Sequence, residues 1–153
     1  MRAIIIGGGS CSENLKEYIL PDDFVVCADS GYDRACSLGI APHLVIGDMD
    51  SVMSAIAEGP EIIKAPVHKD ETDSMLCLDV LAERGFSEII FFGALGGRSD
   101  HSFANITLLL YAAKKGINLK IIHENTSLFI IGEKTAMEIT MTVCLHHQLL
   151  RLQ

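Results

Sequence analysis

The chain has 153 residues, of which 49% are hydrophobic and 21% are charged, a balance that fits one folded domain and excludes intrinsic disorder. Asp and Glu number 20 against 12 Lys and Arg, and the resulting net charge of −8 disfavours nucleic acid as a partner. Because every apolar run is far shorter than the ~20 residues of a membrane span, and the first one is too short for a signal peptide, we expect a cytoplasmic protein that does not bind membranes.

Short apolar runs alternate with segments of helical periodicity up to residue 125. Start and stop signals predict four helices, at Leu15–Ile19 behind a Ser10/Glu13 capping box, at Tyr32–Leu38, from the cap Thr72 to Arg84, and from Ser99 or Asp100 to Lys115. Most of the strands lack a polar face, which indicates an α/β fold with a doubly wound, mainly parallel, Rossmann-like sheet in three layers. The runs predict strands at Ala3–Ile6, Phe24–Ala28, Leu44–Ile46, Glu61–Lys64, Glu88–Phe92 and Leu119–His123.

The pattern changes after Asn125. Leu128–Ile131 and Ala136–Thr140 predict two strands around a turn at 132–134, with no helix between them. They form either an antiparallel hairpin at the sheet edge or the start of a separate β domain. Met141–Gln153 fits neither pattern. We therefore expect an α/β domain at 1–125, followed at 126–153 by a β hairpin, a linker and an atypical tail.

The five cysteines are scattered and contain no Cys-x-x-Cys pair. Their number and spacing do not match a disulfide framework or a zinc site. We expect them to be buried, reduced thiols in a reducing compartment.

Five loops rich in Gly, Asp, Lys or Arg follow five successive predicted strands. Ligands of an open α/β sheet bind beyond the carboxyl ends of its strands, so we expect these loops to meet at one edge. The first loop, Gly7–Gly9, fits a ligand-binding turn and a plain strand–helix turn equally well, and it lacks the complete dinucleotide fingerprint.

Asp48 and Asp50 follow the third predicted strand. In an extended segment, residues two apart point to the same side, and two neighbouring carboxylates repel each other unless a cation joins them. Mg²⁺ prefers such oxygen ligands together with phosphate and water. Asp70 and Asp73, one helical turn apart, would bring further carboxylates to the same edge. The alternative is that Asp48 and Asp50 are turn residues that face solvent.

Lys69 and Arg98 would add positive charge to this edge, and the planar guanidinium of Arg98 suits bidentate phosphate binding. Acidic and basic groups of this kind are what phosphoryl or pyrophosphoryl transfer from a nucleotide requires, while the absence of a Walker A motif from the sequence excludes a P-loop kinase. Four residues at this edge could instead have structural roles. Thr72 and Asp100 could be helix caps, His101 a neighbour of a cap, and Asn105 a residue that fills a gap in the core.

Four successive segments together resemble the motifs of the thiamine pyrophosphokinase family, in register from Met1 to about Ile131. The segments are Ala28–Gly31, Gly47–Ser51, Lys69–Asp73 and Gly96–His101 with the following Ala104-Asn105. The resemblance implies that the pyrophosphoryl group of ATP is transferred to thiamine, giving thiamine diphosphate and AMP, with Mg²⁺ as the cofactor. It also implies a homodimer in which a β-sandwich supplies much of the thiamine pocket.

Carried over residue by residue, the resemblance implies that Asp48, Asp50 and Asp73 hold the metal ion. With Asp100 they form the expected catalytic set. The expected nucleotide-binding and metal-site residues around them are Asp29, Ser30, Lys69, Asp70, Thr72, Arg98, His101 and Asn105.

The tail at 142–148 does not resemble the family. The chain looks like the family's catalytic domain with a C-terminal truncation, in which 126–153 is the remnant of the β-sandwich. We expect little thiamine pyrophosphokinase activity from these 153 residues by themselves.

Two alternative functions stay open. Leu44–Ser51 also resembles the first motif of haloacid-dehalogenase-type phosphatases, in which Asp48 would be the nucleophile. That motif usually opens a chain, whereas here it follows the third predicted strand. The other alternative is a nucleotide-binding module that binds ATP without turnover.

Overall fold

The computed structural model describes residues 1–11, 13–50, 52–56, 58–65, 72–124, 126–132, 139–145 and 148–152. The strands are β1 (Arg2–Ile6), β2 (Phe24–Ala28), β3 (Leu44–Gly47), β4 (Glu61–Lys64), β5 (Glu88–Phe92), β6 (Asn118–His123), β7 (Thr126–Gly132), β8 (Ile139–Leu145) and β9 (Gln148–Leu152). The α-helices are α1 (Gly31–Ser37), α2 (Asp73–Glu83) and α3 (Ser99–Lys114), and a 3₁₀ helix spans Glu13–Tyr18. The six strands predicted up to residue 125 are all confirmed.

The strands form one sheet in the order β4-β3-β2-β1-β5-β6-β7-β8-β9. All neighbours from β4 to β6 pair in parallel, so the predicted doubly wound sheet is confirmed. The chain runs outward from β1 to β4 on one side and then crosses to β5 on the other side of β1. The carboxyl ends of β1 and β5 therefore flank a topological switch point, where open α/β sheets bind their ligands.

The central strand is covered on both faces. Ile5 packs into a core cluster with Leu78 of α2 and Leu109 of α3. Ile4, on the opposite face, packs with Leu15 of the 3₁₀ helix and Tyr32 of α1. This two-sided burial explains why the central strands are apolar throughout, and it leaves the loops at the strand ends as the polar part of the domain.

Helix starts were harder to predict than strands. Thr72 caps α2 as predicted, because its Oγ1 accepts a hydrogen bond from the backbone N–H of Met75 at 3.3 Å. The predicted α-helix at Leu15–Ile19 is wrong, because this short segment forms the 3₁₀ helix. The predicted cap of α3 at Ser99 or Asp100 is also wrong, since Arg98 is the cap and no side chain caps the helix. Across the described ranges, no helix has both the length and the apolar character that crossing a membrane requires.

The C-terminal strands continue the same sheet with antiparallel pairing. β7 pairs with β6, β8 with β7, and β9 with β8. The strand predicted at Leu128–Ile131 is confirmed, whereas 136–138 and the turn at 133–134 lie outside the described residues. The segment Met141–Gln153, which fitted neither sequence pattern, contains the rest of β8 and all of β9.

The four cysteines whose side chains are described have free thiols but differ in burial. Cys27 and Cys77 are buried and free, and burial raises the pKa of the Cys27 thiol to about 12. Cys36 is exposed and Cys11 is half-buried, so the prediction of burial is wrong for Cys36. Cys36 lies near the end of the short helix α1, where only part of the helix surface meets the core.

Candidate active site

A cavity of about 530 Å³ opens at the carboxyl edge of the parallel strands. All five loops singled out from the sequence contribute to its wall, together with the first turns of α2 and α3. Of the predicted site residues, those in the wall are Asp29, Ser30, Asp48, Thr72, Asp73, Arg98, His101 and Asn105. Asp50 and Asp100 are exposed and are not part of the wall, and Lys69 and Asp70 lie outside the described residues.

Three carboxylates from different elements share this wall. Asp29 follows β2, Asp48 follows β3, and Asp73 is the first residue of α2. Like charges at one cavity disfavour each other in the absence of a cation. The wall is therefore suited to a cation or to a ligand that brings one.

The segment from Asp48 to Asp50 is not extended, so the predicted same-side arrangement of its two carboxylates is wrong. Met49 has a left-handed backbone with φ of 68°, and Asp48 Oδ1 accepts a hydrogen bond from the backbone N–H of Asp50 at 3.0 Å. This is the Asx turn that aspartate favours where a strand ends. Asp48 is consequently in the wall while Asp50 lies on the outside of the turn.

Two adjoining loops have strained backbones at this edge. Asp29 has φ of 46°, and Met49 has φ of 68°. The loops also contact each other, because Asp29 donates its N–H to Ile46 O at 2.8 Å and a Cβ at Gly47 would lie 3.0 Å from Asp29 Cα. Left-handed non-glycine residues cost on the order of 1–3 kcal/mol and cluster at functional sites.

The donor set fits Mg²⁺ bound together with phosphates. Among the residues that the structure describes, no group of three or more His, Cys, Asp or Glu side chains forms a metal site by itself. Mg²⁺ is commonly held by one or two carboxylates, with substrate phosphates and water completing its coordination. Asp48 and Asp73 supply such oxygen donors, so a metal that binds with its nucleotide suits this cavity better than a metal enclosed by protein ligands alone.

Arg98 stands at the start of α3, where it lines the cavity. Its Nε donates to Asp100 Oδ1 at 3.1 Å, and its Nη2 donates to Asp100 Oδ2 at 2.7 Å. The guanidinium holds the pKa of the Asp100 carboxyl below its usual value. Asp100 is thus neither the helix cap nor part of the wall, and its connection to the cavity is its contact with Arg98.

The glycines at the switch point allow the loops after β1 and β5 to pack together. Gly9 donates its N–H to Gly93 O at 2.9 Å. A Cβ at Gly9 would lie 2.3 Å from Leu95 O, and a Cβ at Gly93, which has φ of 69°, would lie 2.3 Å from Gly7 O. Loop packing is sufficient to explain why the first loop contains glycine, although its residues also line the cavity.

Two predicted residues combine a structural role with a place in the wall. Asn105 is buried and donates its Nδ2 hydrogen to Ala94 O at 2.8 Å, which ties α3 to the loop after β5. Thr72 caps α2 and also faces the cavity. At both positions the sequence left open a structural role and a place at the ligand site, and the structure is compatible with both.

Sequence reasoning missed two hydroxyl residues of the wall, Ser74 and Ser102. Ser102 lies four residues after Arg98, so helical periodicity places it on the same face of α3. Ser74 follows Asp73 directly in the first turn of α2. Both positions could have been found by projecting the helix faces outward from the predicted residues.

Comparisons with known proteins agree with this geometry. A family model described as thiamin pyrophosphokinase, catalytic domain, matches residues 15–121. The chain is 31% identical over 125 residues to a thiamine pyrophosphokinase of Bacillus subtilis, a match that covers 77% of this chain and 58% of that relative. The chain therefore spans less than two thirds of that relative's length.

Solved structures of thiamine pyrophosphokinases also match the fold of this chain. The crystal structure of thiamine pyrophosphokinase from Bacillus subtilis matches with a TM-score of 0.74 and 27% identity, over 86% of this chain and 64% of that one. The crystal structure of thiamin pyrophosphokinase from Geobacillus thermodenitrificans matches with a TM-score of 0.73 and 30% identity, over 85% of this chain and 63% of that one.

Proposed function

Because the chain belongs to the thiamin pyrophosphokinase family through residues 15–121, we propose that it transfers the pyrophosphoryl group of ATP to thiamine. In this reaction the hydroxyl oxygen of thiamine attacks the β-phosphorus of ATP. The bond from that phosphorus to the oxygen bridging to the α-phosphorus breaks, AMP leaves and the hydroxyl proton is released. The products are thiamine diphosphate and AMP.

The observation that supports this proposal most directly is the composition of the cavity wall. Carboxylates from the β2 and β3 ends and from the start of α2 share the wall with a guanidinium from the start of α3. Transfer of a phosphorus group depends mainly on positioning and on neutralising phosphate charge. The wall supplies both functions without a side-chain nucleophile.

In the proposed complex, Asp48 and Asp73 hold Mg²⁺, and Asp50 and Asp70 belong to the same acidic motifs. Mg²⁺ would neutralise phosphate charge and stabilise the negative charge that develops as AMP leaves. In this proposal Arg98 binds phosphate oxygens, and Asp100, which is not part of the wall, orients Arg98 through their ion pair. Asp29, Ser30, Thr72, His101 and Asn105 shape the remaining wall. The motif around Lys69, which lies outside the described residues, is expected to add a second positive charge.

Thiamine recognition needs aromatic or apolar walls, because thiamine is a cation with two rings. Two aromatic residues lie in the helices that follow the loops, and of these Tyr32 is only 2% exposed in the core, whereas Phe103 is 71% exposed. Neither belongs to the described cavity wall. We therefore propose that residues 1–125 bind the nucleotide and that thiamine is enclosed by a β-rich part beginning near 126, contributed within a homodimer.

Isothermal titration with a non-hydrolysable ATP analogue tests the nucleotide part of the proposal. We expect the analogue to bind more tightly in Mg²⁺ than in EDTA. A chain that binds the analogue would be a binding module if it forms no thiamine diphosphate, either alone or extended by the β-rich part of a relative. A phosphoaspartate analogue trapped on Asp48 by beryllofluoride would instead support the phosphatase alternative.

A further inference from the structure

The loop that follows β3 and carries Asp48 is fastened to α1 by a single carboxylate. Asp33 Oδ2 accepts a hydrogen bond from the backbone N–H of Met53 at 2.9 Å. Asp33 Oδ1 accepts one from the backbone N–H of Ser54 at 2.7 Å. Both oxygens of Asp33 are thus used to hold two successive amides of the loop.

Asp33 links two elements of the cavity without lining it. It lies in the first turn of α1, three residues after the wall residue Ser30. The loop that it holds begins with the Asp48 turn and the left-handed Met49. The contact therefore joins the ends of β2 and β3 on the outside of the cavity.

Among the described residues of this loop, 52–56, two apolar side chains also contact the domain. The Met53 side chain is 93% exposed and contributes no burial. Val52 and Ile56 pack at the margin of the core cluster that includes Tyr32. Between these two apolar contacts, the Asp33 hydrogen bonds attach the described backbone at Met53 and Ser54 to α1.

We propose that Asp33 is a positioning residue that holds the Asp48 carboxylate in the cavity for a Mg²⁺–nucleotide complex. This inference rests on the proposed function. Asp29, Asp48 and Asp73 carry like charges in one wall, which disfavours their close approach in the absence of a cation, and the Asp33 contacts oppose movement of the Asp48 loop away from the wall. When only a fraction of the molecules holds the competent loop conformation, apparent affinity falls by that fraction.

The test compares Asp33→Ala, Asp33→Asn and a control, Asp22→Ala, which removes the same charge from an exposed turn before β2. Amide hydrogen exchange at Met53 and Ser54 reports the attachment directly. Titration of Mg²⁺ at a fixed concentration of ATP analogue gives the half-saturating Mg²⁺ concentration, which depends on the position of the Asp48 carboxylate. Titration of the analogue in EDTA reports nucleotide contacts that do not depend on the metal.

We expect Asp33→Ala to speed exchange at both amides and to raise the half-saturating Mg²⁺ concentration about tenfold, which is typical of losing a residue that orients a metal ligand. Binding of the analogue in EDTA should not change. Asp33→Asn should raise the half-saturating Mg²⁺ concentration less than Asp33→Ala does, because the amide oxygen of asparagine still accepts hydrogen bonds. Asp22→Ala should match the wild type.

Two results would overturn the inference alone. One is an unchanged Mg²⁺ requirement in Asp33→Ala while the wild type binds the analogue in a Mg²⁺-dependent way. The other is an equal loss of binding in Mg²⁺ and in EDTA together with a lower melting temperature, which would mean a general structural role. A wild-type chain without Mg²⁺-dependent binding would overturn the proposed function and this inference together.

Discussion

Arg98 and Asp100 form a bidentate ion pair across the first turn of α3, with N–O distances of 3.1 and 2.7 Å. Both side chains are exposed, at 74% and 60%. Exposed pairs of this kind contribute little to stability, so a structural purpose does not explain the arrangement. The contact uses Nε and Nη2 to fix the plane of a guanidinium that lines the cavity, and we propose that the remaining N–H groups bind phosphate.

We predict that Arg98→Lys weakens binding of the Mg²⁺–ATP analogue although it keeps the charge. Lysine cannot form the planar fork, and the expected loss is about 1–3 kcal/mol. Isothermal titration measures it. Arg84→Lys is the matched control, because Arg84 pairs with Glu61 at 2.7 Å outside the cavity wall. Equal affinities for both variants would place Arg98 outside the phosphate site.

Asp48→Asn should weaken Mg²⁺-dependent nucleotide binding while the fold stays intact. The asparagine oxygen can still accept the hydrogen bond from Asp50 N–H, so the turn is retained. Loss of one of the three wall carboxylates relieves repulsion, and the melting temperature should stay the same or rise. If stability collapses while Mg²⁺-dependent affinity is unchanged, the role of Asp48 is structural.

The buried carboxylate of Asp23 should make stability depend on pH. Asp23 is 5% exposed, and it accepts hydrogen bonds from Arg2 Nε at 2.8 Å, Arg2 Nη2 at 2.5 Å and Leu20 N at 2.7 Å. The Arg2 hydrogen bond, followed by that from the Leu20 N–H, lowers the pKa of Asp23 below its usual 3.8. Folding therefore favours the charged form, and its contribution is present above pH 3.8 and declines as the pH falls below that value.

Urea unfolding of the wild type and Asp23→Asn measures this contribution. At neutral pH we expect the variant to be less stable by about 1–3 kcal/mol, because a charge-assisted contact to Arg2 is lost. The difference should shrink as the pH is lowered through the acidic range. A difference that is constant from neutral to acidic pH would contradict the assignment to Asp23.

Gly9→Ala should destabilise the fold because its Cβ would lie 2.3 Å from Leu95 O and 2.6 Å from Gly93 O. Overpacking against backbone typically costs about 1–3 kcal/mol. Gly97→Ala is the matched control in the same pair of loops, since its Cβ would come no closer than 4.0 Å to Gly9 Cα. Thermal unfolding should separate the two variants, and equal melting temperatures would show that the loops pack less closely.

Patterns read within a single segment predicted the fold well. Continuous apolar runs identified the buried strands, and Thr72 was recognisable as a cap because capping is local. The capping signal at Ser10 and Glu13 did not distinguish a 3₁₀ helix from an α-helix, because the first turns of both offer similar backbone groups. The left-handed Met49 could not be predicted, since methionine rarely adopts this backbone and tertiary contacts impose it.

The sequence predicted candidate site residues in the loops that follow strands. It did not identify residues such as Asp33, whose proposed role depends on a contact with a distant part of the chain. Asp33 meets Met53 and Ser54 across about twenty residues of sequence, and no periodicity marks such a contact. Asp50 and Asp48 had the same residue type, but only the fold could show that Asp48 alone is in the wall.

We propose above all that this cavity transfers a pyrophosphoryl group, and ATP radiolabelled at the β-phosphorus tests this claim most directly. The label is followed with thiamine and Mg²⁺ for the chain alone and for the chain extended by the part of the Bacillus subtilis relative that it does not match. We predict that the extended chain forms labelled thiamine diphosphate and AMP, that the chain alone forms much less, and that Asp48→Asn abolishes transfer. No labelled thiamine diphosphate from the extended chain, or undiminished transfer by Asp48→Asn, would contradict the claim.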